Sequence, residues 1–174
     1  MKYLSFLTVT ALCLVVFAAD TGNRKETNNE QSPSAETTAT IGGKKVTIEY
    51  NAPSARGRKV EGGLVPYGNV WRLGADAATT LTTEGDIMIG SLKVPAGVHT
   101  LYIHASEGAW KLAVNKQTGQ WGTVYQAAQD LGRVDMKTEK TSAPAETLKI
   151  TLQPAGMLVI EWGNTRASVP VKAG

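Results

Sequence analysis

The stretch that decides the fold is ETLKITLQPAGMLVIEW, residues 146–162. Its apolar side chains alternate with others on both sides of a Gln-Pro-Ala-Gly turn. A period of two is typical of half-buried strands, because successive side chains of a strand point to opposite faces of the sheet. Proline at the second position and glycine at the fourth favour a type I β-turn. The stretch therefore predicts an antiparallel hairpin with one buried face.

The same alternation recurs along the chain. It is present in KKVTIEY (44–50), AWKLAVN (109–115) and RASVPV (166–171), and VPAG at 94–97 repeats the turn chemistry. Short strands separated by turns at intervals of about 8 to 12 residues are typical of sandwiches and barrels. We therefore predict one all-β domain, a single antiparallel β-sandwich, of which a jelly roll is one variant.

Three local signals add detail to this prediction. WGNT at 162–165 predicts a short second hairpin that separates the last strand from the one before it. Pro170 predicts that the last strand is an edge strand or carries a bulge there, because proline cannot donate to a sheet. TVYQAAQDLG at 123–132 is the one short segment with a helical pattern.

The N-terminus has the composition of a secretory signal peptide over residues 1–19. Lys2 precedes an apolar run that ends in the small residues Ala18 and Ala19. The run is shorter than the roughly 20 residues of a membrane-spanning helix. Cys13, the one cysteine, lies inside this segment, so the processed chain would have no disulfide and no thiolate ligand. We expect an exported protein, periplasmic or extracellular, with no membrane attachment after cleavage.

Residues 20–38 contain no large apolar side chain. Such a segment cannot bury enough surface to offset the entropy of ordering, which predicts a disordered tether. The remaining residues, 39–174, are long enough for one domain with one core.

Several function classes have no support in the sequence. The net charge is only +3, and the basic residues are scattered, so nucleic-acid binding is not predicted. No phosphate-binding loop, dinucleotide fingerprint, nucleophile elbow or His-Glu-x-x-His motif is present in the sequence. His99 and His104 are five residues apart on a predicted strand, so they point to opposite faces and cannot share a metal ion. We predict no cofactor, no metal and no catalytic constellation.

The loop-rich segment at 50–81 carries the candidate ligand-binding residues. Arginine binds carboxylate or phosphate through two hydrogen bonds, and tryptophan offers a stacking face. One interpretation is therefore a pocket for a small anion, a glycan or a peptide. The alternative is a structural corner, in which the tryptophan plugs the core and Arg72 pairs with Asp76. The candidates are Arg56, Arg58, Tyr67, Trp71, Arg72 and Asp76.

A second group of candidates lies further along the chain. Trp121 and Tyr125 follow a glycine-containing loop and would either form a sugar-binding platform or pack in the core or as a lid over it. Asp130 and Arg133 are three residues apart, which favours a local salt bridge.

The segment IEYNAPSARGRKVEGGLVPYGNVWRLGADAATTL, 48–81, resembles an exported bacterial family catalogued as domain of unknown function 2911. The match centres on VPYGNVWRLGA and extends through VPAGVHTL, AWKLAVN, WGTVY and LVIEWGNTRASVPV. Asp76, Ala77 and His99 stand where the family has Asn, Glu and Tyr. The resemblance implies an exported β domain but no established reaction or cofactor.

Three hypotheses about function remain open. The first is a non-enzymatic binding module that uses the Arg/Trp-rich loop. The second is a hydrolase in which Asp76 acts with Arg72 as anion stabiliser, and it requires a second titratable group within about 3 Å of Asp76 or one water away from it. The third is a structural or interaction protein of the cell envelope, which predicts an exposed apolar patch or an open edge strand beside Thr165–Val171. The oligomeric state has no sequence signal.

Overall fold

The computed structural model describes residues 31–174 as ten strands and one 3₁₀ turn. The predicted signal peptide, and residues 20–30 of the predicted tether, lie outside the described residues. The elements are β1 (Ser34–Ile41), β2 (Lys44–Asn51), β3 (Val70–Trp71), β4 (Thr80–Thr83), β5 (Ile87–Ile89), β6 (Leu92–Val94), β7 (Gly97–Ser106), β8 (Ala109–Asn115), η1 (Ala127–Gln129), β9 (Asp130–Gln153) and β10 (Met157–Ala173).

The strands form one antiparallel sheet in the order β1-β2-β4-β7-β8-β9-β10-β5-β6, with β3 paired to β7 off this path. The sheet is not closed into a barrel, but it folds over so that distant strands share one core. Tyr50 of β2 shows this, because its hydroxyl accepts a hydrogen bond from the Ile150 N–H of β9 at 3.0 Å. The predicted all-β, antiparallel class is confirmed, and the two halves of the sandwich belong to a single continuous sheet.

The core is formed by the apolar residues that the period of two identified. Each strand contributes every second side chain to it, and the alternate side chains are mostly more exposed, which is why the pattern was readable in the sequence. These buried residues include Val46, Ile48, Tyr50, Trp110, Leu112, Val114, Leu148, Ile150, Leu152, Leu158, Ile160, Trp162, Ala167, Val169 and Val171.

The hairpin at the centre of the deciding stretch is confirmed. β9 ends at Gln153, β10 begins at Met157, and the two strands pair from Met157↔Gln153 onwards. The Gly156 N–H donates to the Gln153 carbonyl at 2.9 Å, and Gly156 has a φ of 79°. That conformation is readily available only to glycine, so the sequence at this turn agrees with its geometry.

The predicted hairpin at 162–165 is wrong, because β10 runs through this segment without turning. Gly163 has a φ of 57°, and the register with β9 shifts on both sides of it. The extra residues lie on β9, because four positions separate Lys149 from Ala145 and five separate Ala145 from Lys140 while β10 advances by two each time. Such β-bulges bend the paired strands without reversing them, and the β9–β10 ladder resumes at Thr165.

Pro170 lies where β10 passes from one partner strand to the next, since the ladder of β10 with β5 begins only at Val171. Its pairing with β9 ends at Ser168, so the missing N–H of Pro170 falls beyond that ladder. The Pro170 carbonyl accepts a hydrogen bond from the Gly90 N–H at 2.8 Å. Among the described residues, Thr165–Ser168 of β10 have ladder partners only in β9, and the ladder with β5 covers only Val171–Ala173, so the open edge beside Thr165–Val171 stays a prediction. The two ends of the described sheet are β1 and β6.

The prediction of disorder over 20–38 is wrong for residues 34–38. β1 begins at Ser34 and pairs residue by residue with β2. Backbone hydrogen bonds to a neighbouring strand need no large apolar side chains, and most of these side chains are at least partly exposed. Thr37 also anchors the strand, because its hydroxyl accepts from the Leu152 N–H at 2.9 Å.

The predicted helix at 123–132 reduces to the 3₁₀ turn at Ala127–Gln129, and β9 begins at Asp130. The reason lies in side chains of the sheet that take carbonyls a helix would use. The Tyr102 hydroxyl donates to the Val124 carbonyl at 2.8 Å, and the Asn115 amide donates to the Gln126 carbonyl at 2.9 Å. These bonds hold the segment flat against the sheet.

Candidate functional site

Trp71 and Arg72 are neighbours in the chain, but Trp71 lies in the core. It is 6% exposed, stacks on Trp162 with ring centroids 5.4 Å apart, and meets the edge of Trp110 at 6.0 Å. β3 places it opposite Ile103 of β7. Trp71 is therefore a packing residue, as the structural interpretation predicted, and it offers no face to a ligand.

Arg56, Arg58 and Tyr67 belong to the loop between β2 and β3. The Arg58 guanidinium donates from Nε to the Ala55 carbonyl and from a terminal nitrogen to the Ser54 carbonyl, both at 2.9 Å. Arg56 has a φ of 49°, and its backbone N–H donates to the Glu146 carboxylate at 2.6 Å. These bonds satisfy the polar groups of the loop itself, which is what a structural role requires.

Tyr67 lies against Gly62 and is 38% exposed. Burial raises the pKa of its hydroxyl, and the charges of Glu107 and Glu61 raise it further. The Tyr67 hydroxyl therefore stays protonated at neutral pH.

Arg72 is half-buried and is not paired with Asp76. Its Nε atom is buried and has no hydrogen-bond partner among residues 31–174. Its aliphatic stem packs so closely on Gly122 that a Cβ at that glycine would come within 2.6 Å of the Arg72 Cδ. Among the described residues, no hydrogen bond or ion pair joins Arg72 to Asp76. The structural corner predicted for the segment 50–81 therefore lacks the Arg72–Asp76 pair on which it was based.

Asp76 takes part in the fold through its backbone. It has a φ of 57°, and its carbonyl accepts a hydrogen bond from the Gly122 N–H at 3.0 Å. Asn and Asp are the non-glycine residues that most readily adopt this left-handed conformation. The geometry accounts for Asp here and for the Asn of the family pattern without any catalytic role.

Backbone contacts join the segment Arg72–Ala77 to the loop Gln117–Tyr125. Ala77 forms an isolated antiparallel bridge with Trp121, next to the Gly122–Asp76 hydrogen bond. We call these two segments, with the side chains of β7 beneath them, the outer junction. It brings together Arg72, Asp76, Trp121 and Tyr125, which the sequence had placed in separate candidate groups.

Side chains of β7 hold the loop of the outer junction in place. The Thr100 hydroxyl donates to the Gln117 carbonyl at 2.7 Å, and the Tyr102 hydroxyl donates to the Val124 carbonyl at 2.8 Å. The Gln120 amide nitrogen donates to both hydroxyl oxygens, at 3.2 and 3.1 Å. The side-chain oxygens of Gln117 and Gln120 are buried and have no partner in the described chain.

Tyr125 belongs to a hydrogen-bond network at one end of the junction. Its hydroxyl donates to the Asp130 carboxylate at 2.6 Å and accepts from the Arg133 guanidinium at 2.8 Å. Arg133 Nε also donates to Asp130 at 2.9 Å, so the predicted salt bridge is present, and Asn115 donates to the other carboxylate oxygen at 2.9 Å. Burial raises the pKa of Tyr125, and the hydrogen bond to Asp130 raises it further, while Arg133 opposes this.

His104 lies beside this network, with Nε2 3.4 Å from the Tyr125 hydroxyl. Burial lowers the pKa of His104 below its ordinary value of 6.5, the Arg133 charge lowers it further, and Asp130 acts in the opposite direction. The imidazole is therefore neutral at neutral pH. His99 points elsewhere, with Nε2 at 2.8 Å from the Pro95 carbonyl. No three His, Cys, Asp or Glu side chains of the described residues come close enough to hold a metal ion.

Trp121 is the most exposed aromatic residue of the junction, at 55%. Val124, one backbone hydrogen bond away, is exposed at 45%. Neither side chain is part of the core, so Trp121 does not pack in the core, while the platform and the lid stay predictions.

A groove of about 460 Å³ runs over β1, β2 and β4 next to the junction. None of the predicted site residues lines it. Its charged groups are Glu36 and Glu49, which face each other across the β1–β2 ladder. The groove is therefore acidic and separate from Arg72.

Sequence reasoning missed several residues of the junction. Thr100, Tyr102 and His104 occupy alternate positions of β7, and strand alternation was the signal that could have grouped them. Gln117 and Gln120 carry no such signal, because they lie on a loop whose path only the folded chain defines.

Comparison with known proteins gives one result. Neither curated proteins nor solved structures yield a significant match. No helix of residues 31–174 has the length and apolar character needed to cross a membrane. The family model described as "Protein of unknown function (DUF2911)" matches residues 32–171, which cover the whole sheet except the last residues of β10. The chain therefore belongs to this family.

Proposed function

We propose that the chain is a non-enzymatic binding module that holds a small anionic ligand at Arg72 of the outer junction. The observation that supports this most is the buried Arg72 Nε, which has no hydrogen-bond partner within residues 31–174. The stem of Arg72 packs against Gly122, which restricts the positions that the guanidinium can take. An arginine held in this way is preorganised to bind.

The energetics support an anion as the missing partner. Leaving a buried donor unsatisfied costs about 1–3 kcal/mol, and more for a charged group. Arginine cannot avoid this cost by losing its proton, because its guanidinium stays charged in proteins. A carboxylate or phosphate satisfies Nε and a terminal nitrogen together through two parallel hydrogen bonds. Binding of an anion would therefore offset the free-energy cost of leaving the Arg72 Nε donor unsatisfied in the folded chain.

Within residues 31–174, the hydrolase alternative has no titratable group in direct contact with the Asp76 carboxylate to support it. No titratable side chain of the described residues forms a hydrogen bond or ion pair with Asp76. The backbone conformation of Asp76 and its bond to Gly122 already explain the residue type. A carboxylate without an acid or base partner is a poor basis for hydrolysis.

The envelope-protein alternative rests on its predicted edge strand alone, because the large exposed apolar side chains of the described residues all lie outside Thr165–Val171. We include export in the proposal, since the composition of residues 1–19 favours it. Mass spectrometry of the protein from the periplasm or medium of its natural host should give a chain that begins near Ala19 or Asp20. An intact Met1 in a cytoplasmic fraction would contradict export and leave the binding proposal unaffected.

Calorimetric titration tests the binding function. Inorganic phosphate and acetate would be titrated into the protein and into Arg72→Gln, which keeps hydrogen-bonding capacity but removes the charge. We expect at least one anion to bind the parent and to lose about tenfold or more in affinity in the variant.

Lys111→Gln is the matched control. Lys111 lies on neighbouring β8, is 55% exposed, and its loss removes the same charge. Its affinity for the anion should stay within about twofold of the parent. Equal losses in both variants would show that only the general field of the protein attracts the anion, and no binding by the parent would contradict the proposal.

A further inference from the structure

The amide of Gln120 has one possible orientation, and this orientation leaves its oxygen without a donor. A hydroxyl group has a single proton to donate. The Thr100 hydroxyl donates its proton to the Gln117 carbonyl, and the Tyr102 hydroxyl donates its proton to the Val124 carbonyl. Gln120 must therefore donate to both hydroxyl oxygens through its nitrogen. If the amide were turned over, the Gln120 side-chain oxygen would face the Thr100 and Tyr102 hydroxyl oxygens, which have no proton left to donate. The nitrogen therefore faces the hydroxyls, and the Gln120 oxygen stays unpaired.

The unpaired atoms of the outer junction have complementary character. Arg72 Nε is a charged donor without an acceptor, and the side-chain oxygens of Gln117 and Gln120 are acceptors without donors. Gln117 and Gln120 both bond to Thr100, and Arg72 packs on Gly122 two residues further along. Of the four buried, unpaired side-chain atoms in the described chain, three belong to this one loop and the arginine beneath it.

We infer that the ligand of this site is a small hydroxylated carboxylate, of the chemical class of the sugar acids. This inference rests on the proposed function and adds a second requirement to it. The carboxylate is the acceptor for Arg72, and hydroxyl groups on the same molecule are the donors for the glutamine oxygens. Trp121, exposed at 55% next to Gly122, adds an aromatic surface of the kind on which sugar rings stack.

An ammonium group is a less suitable donor than a hydroxyl here. It would place a second positive charge close to the Arg72 guanidinium. Asp130, the carboxylate of the neighbouring network, already accepts hydrogen bonds from Asn115, Tyr125 and Arg133. It is therefore occupied and cannot pair with a ligand ammonium to offset this repulsion. A neutral hydroxyl satisfies the same oxygens without that repulsion.

The test compares three probes by calorimetry: D-glucuronate, acetate and D-glucose. Glucuronate has the acid and the hydroxyls, acetate has only the acid, and glucose has only the hydroxyls. We expect glucuronate to bind the parent about tenfold or more tighter than either single-function probe. An additional titration with glycine tests the ammonium alternative, and it should bind no better than acetate.

Gln117→Met and Gln120→Met remove the acceptors and keep the side-chain length. Each should reduce the preference for glucuronate over acetate by roughly three- to tenfold, the usual effect of one hydrogen bond, and should leave acetate affinity unchanged. Gln126→Met, at an exposed position of the same loop, is the matched control and should change neither affinity. Using the ratio of two affinities removes the contribution of any partial unfolding in Gln120→Met.

Other outcomes separate this inference from the proposed function. Equal binding of glucuronate and acetate, with sensitivity to Arg72→Gln, would overturn the inference and leave the anion site standing. Tighter binding of glycine would replace the hydroxyl by an ammonium and also overturn it. If the unfolding midpoints of Arg72→Gln, Gln120→Met and the double variant coincide, Arg72 and Gln120 bond to each other in solution, and the inference fails. Glucose binding that ignores Arg72→Gln would overturn both proposals.

Discussion

Trp71 and Arg72 stand side by side in the most distinctive motif of the chain, yet they serve opposite faces of one sheet. Trp71 is packed between two other tryptophan rings, and its contacts are complete. Arg72 is also partly buried, but its Nε has no partner in the described chain. Both residue types looked like ligand-binding candidates in the sequence. Strand alternation explains the difference, because neighbouring residues point to opposite faces of the sheet. One residue of a motif can therefore belong to the core while the next belongs to a candidate site.

The two regions also differ in how their polar groups are satisfied. The core side of β3 contributes a tryptophan ring whose contacts are packing contacts. Replacing it with a smaller side chain would leave a cavity and lower stability. The outer junction is held by specific hydrogen bonds from β7, with three polar atoms left over. Substitutions in the core should therefore change stability, and substitutions in the junction should change binding.

The largest effect should come from Trp71→Ala. Removing a buried indole from the tryptophan cluster leaves a cavity and should lower the free energy of unfolding by about 3–5 kcal/mol. Trp121→Ala is the matched control, because that side chain is 55% exposed and should cost less than about 0.5 kcal/mol. Urea denaturation followed by circular dichroism measures both. Similar costs for the two would remove the distinction between core and junction.

A smaller loss is expected from Asp130→Ala, which breaks the network that holds the end of the junction. The Asp130 side chain is only 9% exposed, and its loss removes the acceptor of one hydrogen bond each from Tyr125, Asn115 and Arg133. We expect about 2 kcal/mol, since Arg133 is partly exposed and can turn to water.

The control for Asp130 is Asp135→Ala. Asp135 forms an ion pair with Lys111 at 2.9 Å, but it is 82% exposed. Exposed pairs contribute at most about 1 kcal/mol, so we expect a change close to zero. An Asp135 variant as unstable as the Asp130 variant would show that burial does not separate the two pairs.

Substitution at Asp76 should separate backbone conformation from side-chain chemistry. With a φ of 57°, Asp76→Asn should change stability by less than about 0.5 kcal/mol, whereas Asp76→Val should cost about 1–2 kcal/mol. Thermal unfolding of both variants measures this. Anion affinity should be retained in Asp76→Asn, and a complete loss of it would return Asp76 to the list of chemically active residues.

The smallest effect is a pH dependence from His104. Its pKa in the folded chain lies below the ordinary 6.5, so the unfolded chain binds a proton more readily. The contribution to stability is therefore fully present above about pH 6.5 and is lost as the pH falls through the lower, folded value.

Unfolding curves of the parent and of His104→Gln at several pH values from 7.5 downward would measure this contribution. The parent should lose stability relative to the variant below pH 6.5, because the variant has no group that titrates there. A parent curve that gains stability relative to the variant on acidification would mean that Asp130 dominates over burial and Arg133 at this site.

Sequence reasoning identified the strands and the core because both follow from a period of two, as Val46, Ile48 and Tyr50 illustrate. It failed at Gly163, where a bulge and a hairpin turn call for the same residue type and only the length of the partner strand decides between them. It also failed at Ser34–Thr38, where backbone pairing orders residues of low hydrophobicity.

The site was found in part for a related reason. Arg72 and Trp121 were suspected because of their residue types, but nothing local indicates that their loops meet. That contact depends on the Gly122–Asp76 hydrogen bond, which joins residues 46 positions apart in the chain. Arg58 was a candidate for the same reason of residue type, but its guanidinium already donates hydrogen bonds to two nearby carbonyls.

Nitrogen-resolved NMR of the arginine side chains tests the central claim most directly, because it observes each Nε–H separately. Arg58 and Arg133 serve as internal references, since their Nε–H groups already donate to Ala55 and Asp130 at 2.9 Å. On titration with acetate or D-glucuronate, the Arg72 resonance should shift saturably while those two stay unchanged. A titration in which Arg72 does not move, or in which all arginines move together without saturation, would contradict the account.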